Sequence, residues 1–389
     1  MWEISRWLLV TKQFFLTGKQ RVENAVCLKN RFEMKKIKII VAAALILALP
    51  SFGQGCMGGG GDLIGVSGFI QPQYNFNLNG NDAAGNSLNT NNFTFNRARL
   101  GVMGSIPYDI DYYFVAEFSS FKTQQKNVHL LDAYVSYTRF SQWAKLSIGQ
   151  FKSPFSMEQN TACSGLYTIN RSEVVNQLAG PQRDLGLLIS GGSDTTFLQY
   201  NLGIMNGTGM NVEDDNRNKN IVGRILVHPF AGLTVGGSFN VGKINPTDLT
   251  QKMNDIYRFG GEVQYKAGNL FLQGEYIHGI DELHSASRLP VYGGCGGIVG
   301  YETKTPGSYS KDGFVVMASY MTPWNLEPVV KFDTYNSDIN VAGKRTNYTT
   351  IGLNYYVNDY SRVQINYVNV AESAGVMNDM FMVQLQAKF

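Results

Sequence analysis

The sequence predicts an all-β chain, a transmembrane sixteen-stranded antiparallel β-barrel with an inward-folded third loop. Three observations carry that expectation. Segments of roughly ten residues that alternate apolar and polar side chains recur to the last residue, as tilted strands with one oily and one wet face require. The connections between them alternate long and short, the parity of a barrel with loops at one rim and tight turns at the other. The 389-residue chain also carries an export leader but, after Leu49, no run approaching the 18 or so apolar residues of a membrane helix.

The leader comes first. Met34, Lys35, Lys36 and Lys38 precede eleven apolar residues, Ile39 to Leu49, then Pro50 and a small-residue stretch. A basic region, a short apolar region and a small-residue cleavage site make a secretory signal over 34–53, too short to span a bilayer. Residues 1–33 precede that complete signal and read as an over-extended, unstructured start. Cys56 raises a lipoprotein reading, but Gly53 stands where an acylation motif wants Leu. A Gly-rich linker over 54–64 leads into a barrel over 65–389.

Export changes the electrostatics. Nine of the 33 basic and three of the 30 acidic residues lie in 1–53, leaving 24 basic against 27 acidic, a mature net charge of −3. The basic excess belongs to the leader, so it gives no reason to expect a nucleic-acid partner.

Strands are expected near 65–76, 92–104, 109–119, 129–139, 143–151, 183–191, 196–205, 220–228, 232–242, 255–266, 269–279, 312–321, 326–336, 346–357, 361–371 and 379–389. Long connections (77–91, 152–182, 206–219, 243–254, 280–311) follow odd-numbered segments, and short ones such as Pro229 to Ala231 follow even-numbered ones. A soluble sandwich has no reason to keep that parity. Ile110, Tyr112, Phe114 and Phe118, then Leu131, Ala133, Val135 and Tyr137, read as lipid-facing. So do Leu233, Val235, Phe239 and Val241, and Val363, Ile365 and Tyr367. Membrane lipid is therefore one expected partner. In the last segment Phe381, Val383, Leu385, Ala387 and Phe389 share one face. A strand ending this way resembles the closing strand of outer-membrane barrels. That resemblance implies Phe389 as an assembly signal, the barrel-assembly machinery as a partner and a Gram-negative outer membrane as the location.

Several stretches resemble the phosphate-selective porin O and P family: Asn96 to Gly104 (NRARLGVMG), Leu130 to Tyr137 (LLDAYVSY), Gly149 to Glu158 (GQFKSPFSME), Ile169 to Asn176 (INRSEVVN) and Arg183 to Gly191 (RDLGLLISG). They run in family order over the first third of the barrel. The resemblance implies a trimeric porin with a long third loop folded into the lumen and basic side chains that guide anions. The residues support such a loop independently. Lys152 to Gln182 is the longest structureless connection in the N-terminal half and holds a helix-compatible turn, Asn170 to Leu178. Long loops in compact proteins are usually functional. An extracellular flap is the competing reading.

Strand phasing points Arg97, Arg99, Lys145, Arg224, Arg258, Lys331, Arg362 and Lys388 inward, together with Asp111, Glu117, Asp132, Asp184, Glu262, Glu275 and Asp333. Selectivity depends on unbalanced charge at the narrowest point. The expected anion-guiding wall is Arg97, Arg99, Lys145, Lys152, Arg171 and Arg183, with Arg97 and Arg171 facing water, opposed by the lumen acids Asp111, Glu117, Asp132 and Asp184. The expected function is passive diffusion of small hydrophilic solutes with a preference for small, phosphate-like anions. A barrel enzyme, or a structural or adhesion protein without channel activity, is the alternative.

Enzyme motifs are absent. His129, His228, His278 and His284 sit in no metal-protease frame, and no Gly-x-Ser-x-Gly elbow occurs. His278 with His284, and the acidic run Glu213, Asp214 and Asp215, are weak metal candidates, so no metal and no cofactor is expected. Gly293, Gly294, Cys295, Gly296 and Gly297 read as loop flexibility, and a Cys163 to Cys295 bridge stays open in an oxidising compartment.

Overall fold

The computed structural model describes residues 64–389, apart from 82–83, 120–127, 141–142, 293–297 and 374. The leader, the linker up to residue 63, Cys56 and Cys295 lie outside the described residues. The strands are β1 (Ile64–Leu78), β2 (Thr90–Ile106), β3 (Ile110–Glu117), β4 (His129–Phe140), β5 (Ala144–Lys152), β6 (Arg183–Gly191), β7 (Leu198–Met205), β8 (Asn220–Phe230) and β9 (Leu233–Ile244). They continue as β10 (Asn254–Ala267), β11 (Leu270–Leu283), β12 (Ser287–Tyr292), β13 (Ile298–Lys304), β14 (Gly307–Tyr320), β15 (Leu326–Asn336), β16 (Arg345–Tyr356), β17 (Ser361–Glu372) and β18 (Asp379–Lys388). Two short helices, α1 (Met157–Asn160) and α2 (Glu173–Leu178), interrupt the connection from β5 to β6.

Sixteen strands close into one antiparallel barrel, with β1 bonded to β18 across Gln73 and Gln384, and Tyr74 and Val383. Closure satisfies the backbone without leaving an edge, which lipid demands. The remaining pair, β12 and β13, is a hairpin set into the connection from β11 to β14. The long connection expected over 280–311 thus contains two further strands outside the barrel. In Ser287–Tyr292 the first and third residues are buried, a strand-like alternation. Six residues beside a Gly-rich tip are too few to distinguish from a loop by period alone.

Burial is inverted relative to a soluble protein. Along β17, Arg362, Gln364 and Asn366 are buried, whereas Ile365 and Tyr367 are 38% and 39% exposed. Phe114, Val135, Tyr137, Val235 and Phe239 are exposed in the same way. Leu131 departs from the expected lipid face and is buried. The register between β3 and β4 slips at Val115 and Ala116, and Leu131 is the unpaired residue of that bulge. Phe118 falls beyond the end of β3. At the short-turn rim Tyr108, Phe140, Trp143, Phe230, Trp324 and Tyr360 are exposed, the aromatic girdle of a membrane interface.

One apolar cluster joins the connection between β5 and β6 to the barrel wall. Phe155, Val174, Val175 and Leu178 from that connection pack with Met205, Val222, Ile277 and Val315 of β7, β8, β11 and β14. Four buried aliphatic or aromatic side chains of this kind contribute about 1.5–3 kcal/mol each. Side chains of the wall alone could not fill so wide a lumen.

Candidate functional site

The connection from β5 to β6 is bonded to strands distant in sequence. Gln71 Nε2 reaches Cys163 O, Arg362 Nη2 and Gln386 Nε2 reach Ser164 O, and Gln364 Nε2 and Asn354 Nδ2 reach Tyr167 O. Asn366 Oδ1 accepts from Ile169 N at 2.7 Å, Arg97 Nη1 donates to Ile169 O, and Lys331 Nζ donates to Asn170 O. The inner faces of β1, β2 and β15 to β18 therefore present amides and cations, spaced two residues apart, that match the irregular backbone of residues 163–170. Acidic side chains hold the same connection: Glu275 on β11 accepts from the backbone N–H groups of Met157 and Glu158, and Asp333 on β15 accepts from Glu173 N. Glu158 in turn accepts from Ser172 N and lies 3.7 Å from Lys331. Each of these bonds satisfies a buried backbone group that would otherwise cost about 1–3 kcal/mol.

The proposed basic residues divide by partner. Arg99 Nε bonds Glu117 at 2.7 Å, and Arg183 forks onto both oxygens of Asp132 at 3.0 Å. These planar, charge-assisted pairs neutralise both members. Arg97, Lys145, Lys152 and Arg171 have no carboxylate within ion-pair distance among the described residues. Lys152 Nζ lies 3.2–3.3 Å from the carbonyls of Gln159, Asn160 and Thr161, and Arg171 donates to Glu158 O, Gln159 O and Thr161 O. Both cations thus meet the orphan carbonyls where α1 ends, a favourable position for positive charge. On the other inner arc the cations are compensated: Arg224 by Glu262, and Arg258 with Lys311 by Asp281.

Arg99, Lys145, Lys152 and Arg183 line one cavity of about 540 Å³, with Cys163 at its wall and Gly68, Lys388 and Phe389 toward the short-turn rim. Arg171 reaches its edge through Cys163 Sγ at 3.4 Å, and Arg97 lies behind Gln71. One expectation is corrected here. Arg97 and Arg171 do not face water, being 0% and 4% exposed, because the backbone of 158–169 covers them. Lys145, the second residue of β5, lines the same cavity as Ala162, Cys163 and Ser164. The acids also separate. Glu117 and Asp132 belong to ion pairs, Asp111 bonds Ser105 at the short-turn end of β3, and Asp184 holds the backbone of Leu185, Gly207 and Gly209.

Residues missed from the sequence include Gln71, Asn354, Gln364, Asn366, Gln384 and Gln386. Their signal was present: Arg362, Gln364 and Asn366 occupy alternate positions in the first half of β17, and Gln384 and Gln386 repeat the pattern in β18. Cys163 is a buried free thiol, and its expected partner Cys295 lies outside the described residues. His284 bonds Asp255, Asp214 bonds Lys219, and among the described residues no group of His, Cys, Asp or Glu could hold a metal ion.

The family model described as phosphate-selective porin O and P matches residues 70–255 and 231–386. The chain belongs to that family. It is thus an outer-membrane porin of the Gram-negative type, with its strands in the bilayer. Among solved structures it is similar to the anion-selective porin from Comamonas acidovorans, at 12% identity and a TM-score of 0.61, over 85% of this chain and 100% of that one. The outer membrane channel DcaP of Acinetobacter baumannii matches at 13% identity and 0.61, over 86% and 99%. The trimer form of OmpT from Vibrio cholerae matches at 10% and 0.58, over 85% and 100%. At these identities the likeness shows the fold alone. No curated protein matches the sequence.

Proposed function

We propose that this porin is a passive diffusion channel for small hydrophilic solutes that prefers anions, phosphate-like ones included. Residues 153–182 fold into the lumen on this reading and set its aperture. The observation that carries it is the uneven compensation of charge. Arg97, Lys145, Lys152 and Arg171 have no carboxylate partner among the described residues along one inner arc, whereas the cations of the opposite arc are paired. In a narrow passage with low-dielectric walls such an excess raises local anion concentration.

The channel acts as a homotrimer, as one structural relative does by its description. Phe389 serves as the signal for the barrel-assembly machinery. The barrel is a channel and not an enzyme.

Planar-bilayer recording tests the reading. In a KCl gradient at low salt, stable ohmic steps with a reversal potential on the anion side are expected. The preference should weaken as salt rises, because screening shortens to about 3 Å at 1 M. A pore that is cation-selective at low salt would remove the anion preference, and a silent barrel that hydrolyses lipid or peptide would remove the channel.

A further inference from the structure

We propose that a second cavity, at the rim where the long connections meet, binds a small neutral saccharide. There the β12 and β13 hairpin faces the connections from β5 to β6, β7 to β8 and β9 to β10 around a space of about 450 Å³, within the range of small-ligand sites. The site gives the channel proposed above a class of solute, and in that respect it rests on that reading.

Tyrosine rings shape this cavity. Tyr292 and Tyr301 come from the hairpin, and Tyr335 comes from β15. The Tyr292 ring lies where a Cβ on Gly180 would meet it at 2.3 Å, so the hairpin seats directly on the backbone of the connection from β5 to β6. Arg288 Cζ stands over the Tyr301 ring, 4.7 Å from its centroid, and holds it. Tyr335 packs against the apolar cluster that includes Val174 and Leu178. Rings fixed from separate elements offer flat apolar faces, each with a hydroxyl at its tip.

The charges around these rings are compensated, unlike those of Lys145 and Lys152 in the first cavity. Asp281, 1% exposed, lies 2.6 Å from both Arg258 Nη2 and Lys311 Nζ. Lys243 bonds Asp255, and Glu302 bonds Lys304. Arg288 and Asp215, the two lining ions without an ion-pair partner among the described residues, are opposite in sign. An anion or a cation entering here would give up its hydration for little net attraction. A neutral saccharide gives up no charge hydration, lays a C–H face on a ring and presents hydroxyls that both donate and accept. The Lys311 ammonium and the tyrosine hydroxyls supply partners for them.

The test uses the folded, detergent-solubilised full barrel and saturation-transfer NMR, with maltose, cellobiose, lactose, sucrose and trehalose as probes. At least one should bind at millimolar concentration, and equally well at low salt, in about 1 M salt and with inorganic phosphate present, because screening does not act on a neutral ligand. Tyr301→Ala should weaken that binding about fivefold by removing an aromatic face. Tyr335→Phe keeps its ring, removes only the hydroxyl and should weaken binding by a similar factor, which decides the matter should Tyr301→Ala not fold. No transfer to any of these sugars, transfer abolished by salt or phosphate, or transfer that neither tyrosine substitution weakens, would overturn the proposal. Binding needs no ion current, so a barrel that proves silent in a bilayer leaves this outcome readable.

Discussion

Lys145 separates charge from architecture at the scale of single residues. It lines the lumen cavity, has no carboxylate partner among the described residues and makes no hydrogen bond to residues 153–182. Lys145→Glu should therefore move the reversal potential toward cations at low salt while thermal stability stays within about 0.5 kcal/mol, as for an exposed substitution. An unchanged reversal potential would place the selecting charge elsewhere. Arg171→Gln should do both, since Arg171 is buried against three loop carbonyls and its loss costs about 1–3 kcal/mol. The difference was not legible in the sequence. Strand phase gave the inward direction of Arg97, Arg99 and Lys145, because side-chain alternation is local. Whether a given cation meets a carboxylate, a carbonyl or water depends on how chain from 7 to 72 residues away folds back onto it, as for Lys152 with Gln159 and Arg97 with Ile169.

At the scale of elements, the connection from β5 to β6 is held by side chains rather than by strand pairing. Gln364→Leu combined with Asn366→Leu removes the donor to Leu166 O and the acceptor of Ile169 N, while Tyr167 O keeps Asn354. The orphaned groups should destabilise that segment by about 1–3 kcal/mol each. Flickering or enlarged conductance, and protease cleavage within 163–170, are the expected readouts. Conductance and cleavage like wild type would show that the apolar cluster alone fixes the segment. Element identity was largely readable: the strand positions and the long and short connections follow from period and turn chemistry. The β12 and β13 hairpin was not. It is packed in place, with the Tyr292 ring where a Cβ on Gly180 would lie at 2.3 Å, and no local pattern encodes such a contact.

The whole molecule depends on one seam. Gly68 and Phe389 exchange backbone hydrogen bonds of 3.0 and 2.9 Å, joining the first strand to the last residue. A Cβ on Gly68 would lie 2.5 Å from Arg99 O and 2.7 Å from the Phe389 ring. Gly68→Val should therefore displace the ring and cost about 1–3 kcal/mol, seen as a smaller heat-modifiable folded fraction in the membrane. An unchanged fraction would show that the seam tolerates the extra volume. The leader gives a further expectation, that N-terminal sequencing of the membrane form begins close to Gln54. A sequence read from within 1–33 would refute it. Barrel closure was legible from parity and terminal alternation, because both are properties of the whole pattern.

The partition of the lumen has a consequence for how this protein tolerates change. Inner positions on β7, β8, β11 and β14 abut the apolar cluster, while those on β1 to β6 border the cavity. A saturation library of inward positions should accordingly split into two classes. On the first arc only substitutions that conserve volume and apolar character survive selection for folding. On the second, positions that face the cavity without a buried partner, Lys145 among them, vary in charge and size and change what passes, while the ion-paired Arg99 and Arg183 stay fixed. New solute preferences are therefore accessible to such a lineage through one side of the barrel, while the other stays fixed by the need to fold.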